Sequence, residues 1–281
     1  MIARDEAESI GRCVAAVADL VDSVVVADTG SADETLMRAE EAGATVLVVP
    51  WTDDFAAVRN AALAACRADW VLSVDADEVA SGDPEALRAV LGRTSAVALN
   101  VEIAEEGGVD PRGRDTHRAV KLFRPDLCRW RGRVHEEVVD LAGAPVASGP
   151  LPPSVLALRH SGYGDPAVFA AKVARNLRLA RLTVEELGTD AARERRVAAL
   201  LDLGRTQLAA GEREDGSATL RLVRQLAPAG TPAWLWATDF LAWDALRHQD
   251  VDLVWALVGE LADHDAGQTH LRPLADRLLA L

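Results

Sequence analysis

Over the first 160 positions, apolar residues come in short runs that stop at polar or acidic residues, and strand-like runs alternate with helix-like spacing. Met1-Ile2-Ala3 reads as the end of a strand. Ile10, Val14, Val17 and Leu20/Val21 then recur at helical intervals. Residues 23–27 (Ser-Val-Val-Val-Ala) predict a strand, and Asp28-Thr29-Gly30-Ser31-Ala32-Asp33 a tight polar turn. A helix over 34–42 closes at Gly43, and a strand over 45–49 stops at Pro50. Asp53 or Asp54 caps the next helix, which carries Val58, Ala62, Leu63 and Cys66. Trp70-Val71-Leu72-Ser73-Val74 is a further strand. The order β-α-β-α-β-α-β predicts a doubly wound, parallel α/β sheet. Beyond it the pattern predicts a helix over 84–91 and strands over 96–103, 119–123 and 155–160, with a short segment at 132–139. Residues 105–115 and the Pro/Gly-rich 145–153 read as loops.

After Asp165 the strand pattern ends and an Ala- and Leu-rich helical pattern runs to Leu281, which predicts two domains, 1–164 and 165–281. A 34-residue register relates Leu200, Leu203, Gly204, Gly211, Leu220, Val223 and Pro228 to Trp234, Ala237, Thr238, Ala245, Val254, Leu257 and Ala262. The first unit resembles a tetratricopeptide repeat, and the second has lost its Gly and Pro. Trp234, Trp236 and Trp243 are expected to pack between helices or across a subunit boundary, because large rings are favoured there.

Composition narrows the classes. Of 281 residues 49% are apolar, enough for real cores, and no run is long enough to span a membrane. No secretory signal is visible, and Cys13, Cys66 and Cys128 are widely spaced, as expected of reduced thiols in a cytoplasmic protein. The formal charge of −14 argues against a nucleic-acid partner. Acids outnumber bases 27 to 16 over residues 1–164, but only 17 to 14 over 165–281. Within the acidic part, Arg112, Arg114, Arg118, Lys121, Arg124, Arg129, Arg131 and Arg133 form a basic stretch suited to phosphate, or to a solvated loop.

The chemistry concentrates where 70–74 ends in Asp75-Ala76-Asp77-Glu78. Acids at the carboxyl end of a buried strand sit where open α/β sheets bind ligands. If the strand geometry continues, Asp75 and Asp77 share a face. Two hard oxygen ligands suit Mg²⁺ or Mn²⁺ shared with substrate phosphates. An ordinary acidic turn is the plainer alternative.

Read together, residues 1–164 resemble a family 2 glycosyltransferase of the GT-A fold. The resemblance rests on Ile2-Ala3-Arg4-Asp5-Glu6, on Asp28-Thr29-Gly30-Ser31-Ala32-Asp33, and on Trp51-Thr52-Asp53-Asp54-Phe55 with Arg59-Asn60. It rests also on Asp75-Ala76-Asp77-Glu78, and on Val120-Lys121-Leu122-Phe123-Arg124 with Val134-His135-Glu136 and His160-Ser161-Gly162-Tyr163. These last segments resemble a subgroup with a tetratricopeptide-like tail. The chain departs from the family in two places: the first strand lacks residues normally found before Met1, and Val134-His135-Glu136 stands where a Glu-Asp pair is usual.

The resemblance implies an inverting transfer from a nucleotide-sugar donor, UDP-hexose or UDP-N-acetylhexosamine, to a glycan, small-molecule or peptide acceptor. It implies that Asp28 contacts the uracil or ribose, that Asp5 or Glu6 lines that pocket, and that Asp33 supports the turn. Asp77, with Asp75 nearby, is expected to hold the metal, and His160 to contact metal or phosphate. Arg131 and Arg133 are candidates to stabilise the departing diphosphate. Arg59 and Asn60 are expected either to contact the nucleotide or to tie their helix to the loop after Asp28. Glu136 is the preferred base, Glu78 its rival, and His135 is expected to orient the carboxylate or the phosphate. The helical tail is a candidate surface for a polypeptide partner or a homodimer. Two other readings remain: a non-catalytic scaffold with a decayed transferase domain, and a nucleotidyltransferase. The latter wants a Gly-rich basic loop where Arg4-Asp5-Glu6-Ala7-Glu8 stands.

Overall fold

The computed structural model describes residues 1–105, 116–160, 166–188, 191–267, 270 and 274. Arg112 and Arg114, and most of the loop expected over 105–115, lie outside the described residues, as does Ser161-Gly162-Tyr163-Gly164. The chain divides into two compact units, Met1–Pro166 and Ala167–Leu281.

In the first unit, β1 (Ile2–Ala3), β2 (Val25–Asp28) and β3 (Thr45–Val48) form a parallel three-stranded sheet in that order. Their crossovers are α1 (Ile10–Val17) and α2 (Thr35–Glu41). Helix α1 buries Ile10, Cys13, Val14 and Val17, the stripe its spacing predicts. Gly43 takes φ +96° and so ends α2 where an L side chain would be strained. Helix α3 (Phe55–Ala65) is capped by Asp54, whose carboxylate accepts from the Ala57 amide; Asp53 instead takes a positive φ and accepts from the Trp51 indole.

A second sheet is mixed. It runs β4 (Val71–Leu72), β7 (Thr116–Phe123), β6 (Ala98–Glu105), β11 (Leu156–His160) and β5 (Glu78–Gly82), with β10 (Ser148–Pro150) beside β6. Strand β11 is parallel to β6 and antiparallel to β5. The pattern along β6 shows why it forms: Val101 and Ile103 are buried, and Asn100 and Glu102 alternate with them at the period of a strand with one face on the core. Helix α4 (Pro84–Leu91) starts at Asp83, which caps two amides ahead of Pro84 at the first turn. Strands β8 (Cys128–Arg131) and β9 (Glu137–Asp140) make a separate antiparallel pair.

The structure refines the sequence reading in three places. Strand β4 is two residues long and pairs antiparallel with β7, so the parallel winding is confined to β1–β3 and to β6 with its neighbours β11 and β10. Strand β5 follows the acidic turn at once, and β10 crosses a stretch expected to be loop. The three cysteines are free. Cys13 is buried, donates to the Ala76 carbonyl at 3.0 Å, and burial pushes its thiol up to about 12.

The second unit comprises α5 (Pro166–Leu187), α6 (Arg193–Ala209), α7 (Arg213–Leu226), α8 (Pro232–Arg247) and α9 (Val251–His264). Its core gathers Leu200, Leu220, Val223, Trp234, Ala237, Leu241, Leu257 and Leu261. Trp234 and Trp243 are buried between helices, and Trp236 stacks on Phe240 and meets His270 edge-on. Gly204 lets α6 and α7 approach closely: a Cβ there would stand 2.8 Å from Leu220 Cγ. The helix ends recur at 38 residues (Ala209 and Arg247, Leu226 and His264), and so do the positive-φ turns at Gly211 and Gln249.

Candidate active site

The site is built at the carboxyl ends of strands. After β1 and β2 the two polar loops are laced together. Asp5 accepts from the Ala32 amide at 2.7 Å and donates its own amide to Ser31 Oγ at 2.9 Å. The Glu6 amide donates to Thr35 Oγ1, and the Ala7 amide to Asp33. Asp28 is 1% exposed. Its carboxylate accepts from the Gly30 amide at 2.9 Å, the Ser31 amide at 3.0 Å and the Ser31 hydroxyl. The Asp28 carboxylate, the expected contact of a base or ribose, is thus held by three hydrogen bonds within its own turn. Asp5 remains exposed at the rim.

Arg59, from the second turn of α3, organises the next layer. Its Nε donates to Glu136 Oε1 at 2.5 Å, Nη2 to Asp75 Oδ1 at 2.7 Å and Nη1 to Ser73 Oγ at 3.2 Å, while the guanidinium lies over the Trp130 ring. Lys121 of β7 donates to Asp75 Oδ2 at 3.0 Å and Glu78 Oε2 at 2.7 Å, and Glu78 also accepts from the Asp75 amide. Burial alone would lower Lys121, but Asp75 and Glu78 outweigh it and raise its value. Burial would raise Asp75, yet Arg59 and Lys121 hold it well below the usual carboxylate range. Glu78 is pushed up, chiefly by burial, against the pull of Lys121.

Asp75, an expected metal ligand, bridges Arg59 and Lys121 with its two oxygens. Glu78, the rival base, is 3% exposed and bonded to Lys121 and the Asp75 amide. Asn60 exchanges two hydrogen bonds with the Trp130 backbone at 2.9 Å each, tying α3 to β8.

Asp77 and His160 come together from 83 positions apart. His160 Nε2 lies 3.3 Å from Asp77 Oδ2, and His160 Nδ1 lies 2.8 Å from Glu105 Oε2. Burial would lower the imidazole, but bonding and charge from Asp77 and Glu105 prevail and raise it to about 9. Two ligands on adjacent corners of an octahedral ion at about 2.1 Å stand about 3 Å apart, so this O,N pair fits one edge of a Mn²⁺ or Mg²⁺ shell. Among the described residues no group of three or more His, Cys, Asp or Glu could hold a metal ion. Asp77 and His160 would then supply part of a shell that phosphate and water complete, as is usual for cations shared with nucleotides.

Arg131 is exposed on the β8–β9 pair, donating to the Gly143 carbonyl and to Glu137 Oε1. Arg133 donates to the Asp53 carbonyl at 3.2 Å, while its own carbonyl accepts from the Phe55 amide at the start of α3. His135 is exposed in a left-handed conformation, φ +54°, just past Gly132 at φ +111°. A cleft of about 1290 Å³ extends from Met1, Asp22 and Trp70 to Arg59, Ser73 and Val74, next to the turn that carries Asp75.

Sequence reasoning missed Lys121 as an anchor and Glu105 altogether. A lysine between Val120 and Leu122 in an apolar strand was a usable signal, because a buried lysine needs partners. Glu105 gave none until β6 and β11 were paired.

Residues 1–137 match the family described as Glycosyl transferase family 2. A TPR repeat-containing protein of Synechococcus elongatus is 39% identical over 191 residues, 63% of this chain and 45% of that protein. An uncharacterized glycosyltransferase of Rickettsia felis is 40% identical over 78 residues, 28% of this chain and 27% of that one. The chain thus spans less than half the length of these curated relatives. Among solved structures, glucosyl-3-phosphoglycerate synthase from Mycobacterium tuberculosis, in complex with Mn²⁺, UDP and phosphoglyceric acid, is 20% identical at a TM-score of 0.39, over 62% of this chain and 76% of that one. No helix among the described residues is long and apolar enough to cross a membrane. Over its first 137 residues the chain matches the family 2 glycosyltransferases, and this α/β unit is followed in sequence by a helical carboxyl-terminal unit.

Proposed function

We propose that this protein transfers a glycosyl group from a nucleoside-diphosphate sugar, a UDP-hexose or UDP-N-acetylhexosamine, to an acceptor hydroxyl, with inversion and with a bound Mn²⁺ or Mg²⁺. The observation that carries the reading is the Asp77–His160 pair at the carboxyl ends of the sheet in a family 2 domain. Breaking the anomeric C–O bond leaves negative charge on the departing diphosphate, which a divalent cation neutralises when bound. Asp77 and His160 would hold that cation, while Arg59 and Lys121 fix the turn that carries Asp77 by clamping Asp75. Glu136 would take the acceptor's proton. Arg59 Nε donates to its Oε1 at 2.5 Å, which sets the carboxylate's orientation. The laced loops after β1 and β2 form the rim at which a nucleotide would dock, with exposed Asp5 in reach of solvent. The helical unit directs the first acceptor trials to polypeptides, followed by glycans and small hydroxylated metabolites.

The test is calorimetric titration of UDP with and without Mn²⁺, followed by donor turnover. Mn²⁺ should strengthen UDP binding, and Asp77→Ala should remove that gain while the melting curve stays put. Glu136→Gln should keep the gain and lower kcat by about 10²–10⁴-fold. Turnover that is indifferent to EDTA sinks the cation reading, and undiminished kcat in Glu136→Gln sinks the assignment of the base.

A further inference from the structure

We propose that Glu105 is the positioning residue that fixes the tautomer and orientation of His160 for cation binding, a role that rests on the metal reading of Asp77 and His160 above. The argument starts from strand register. Strands β6 and β11 are parallel, and Glu105 is paired with His160 at their shared carboxyl end. Directly paired residues on neighbouring strands project to the same face, so the ladder itself places the carboxylate beside the ring. On its other side His160 pairs with Glu78, the first residue of β5, which carries Asp77 immediately before it. Three adjacent strand ends therefore hold Glu105, His160 and Asp77 in a row.

The contacts follow that row. Glu105 Oε2 is 2.8 Å from His160 Nδ1, and Asp77 Oδ2 is 3.3 Å from Nε2 on the far side of the ring. The Glu105 side chain is 3% exposed, with His117 Nδ1 of β7 at 3.4 Å from its other oxygen. A buried carboxylate is costly unless it is paired, and this one is paired with two imidazoles. An imidazole binds a cation through an unprotonated nitrogen, and the hydrogen bond made by the other nitrogen decides which one that is. With its proton held at Nδ1 by Glu105, the ring presents the Nε2 lone pair to the position beside Asp77. His117 Nδ1 stands 3.4 Å from the second oxygen, an ion-pair contact when that ring is protonated. Buried Glu105 thus acts through His160 and needs no contact of its own with the donor.

The experiment compares wild type with Glu105→Gln, Glu105→Asp, His160→Ala and Asp77→Ala, using Mn²⁺ alone and Mn²⁺ with UDP. Bound Mn²⁺ is read by electron paramagnetic resonance, and nitrogen ligation by electron spin-echo modulation. Glu105→Gln should lower Mn²⁺ affinity by about 10–100-fold and reduce the nitrogen modulation, with unfolding unchanged. Glu105→Asp should recover part of both. A metal-free readout is the ¹⁵N spectrum of labelled histidine at a pH where the His160 ring is neutral. The wild-type ring should carry its proton on Nδ1, and Glu105→Gln should move the population towards the Nε2 form. Wild-type Mn²⁺ affinity in His160→Ala and Asp77→Ala overturns the cation reading and takes this inference with it. Weakened binding in those variants, but wild-type affinity and tautomer in Glu105→Gln, overturns this inference alone.

Discussion

Replacing Arg59 by Met should cost about 3 kcal/mol at pH 7, and the cost should shrink in acid. The guanidinium holds Glu136 at 2.5 Å and Asp75 at 2.7 Å, with both its own and the Glu136 side chain only 11% exposed. Removing one partner of a buried pair costs about 3–5 kcal/mol, because the remaining charge stays out of water. Asp75 is 34% exposed and keeps Lys121, so its share is screened and the lower end of that range applies. The methionine retains an apolar stem against Trp130, which limits the packing loss. The sign with pH follows from Asp75, whose value is depressed in the folded protein. A depressed carboxylate adds stability above its unfolded value of about 3.9, and that stability is lost as pH falls through the folded value. The variant has less of this contribution to lose, so its deficit relative to wild type is full at neutral pH and narrows once pH drops below about 4. Because the chain has two units, the readout should be local: amide exchange of peptides covering β4, β7 and β8. A deficit below about 1 kcal/mol at pH 7, or one that is equal at neutral and acid pH, would refute the buried-pair account.

Asp28→Ala should cost about 2 kcal/mol by leaving the Gly30 and Ser31 amides without their acceptor, and exchange at those two amides should quicken. Unchanged melting together with a large loss of UDP affinity would instead mark Asp28 as a direct nucleotide contact. Gly204→Ala should lower stability by about 1–2 kcal/mol despite alanine's better helix propensity. The new Cβ would meet fully buried Leu220 at 2.8 and 2.9 Å; an unaltered melting temperature would show that α6 and α7 can part without cost.

Periodicity made the order of elements legible, and it also explains where the reading slipped. The helical tail carries a 34-residue apolar register, yet helix ends and turns recur at 38. The two differ by four residues, about one helical turn, so a shift between them leaves apolar positions on the same face. Leu200 and Trp234 are both buried under the shorter register, although the turns at Gly211 and Gln249 obey the longer one. Side-chain pattern alone cannot separate the two; the backbone punctuation can, and a glutamine in the left-handed region gives no sequence signal. Strand β4 is likewise shorter than its pattern predicts, because Trp70 and Val74 have strand-like chemistry while only Val71 and Leu72 enter a ladder.

At the site, the sequence identified which strand ends matter but not what each carboxylate faces. Asp77 and His160 stood out because each closes an apolar run, and the fold brings them to 3.3 Å. Asp28 and Asp75 stood out for the same reason, and both are hydrogen-bonded within the protein, one to its own turn and the other to Arg59 and Lys121. The surroundings differ: Asp28 is followed by Gly30 and Ser31, whose amides reach back, whereas the Glu78 amide after Asp77 donates to the Asp75 carbonyl. Asp75 meets cations only because β7 lies antiparallel to β4 and α3 delivers Arg59 from sixteen residues upstream. Asp77, with 16% of its side chain exposed, meets across the sheet the histidine that Glu105 holds in place.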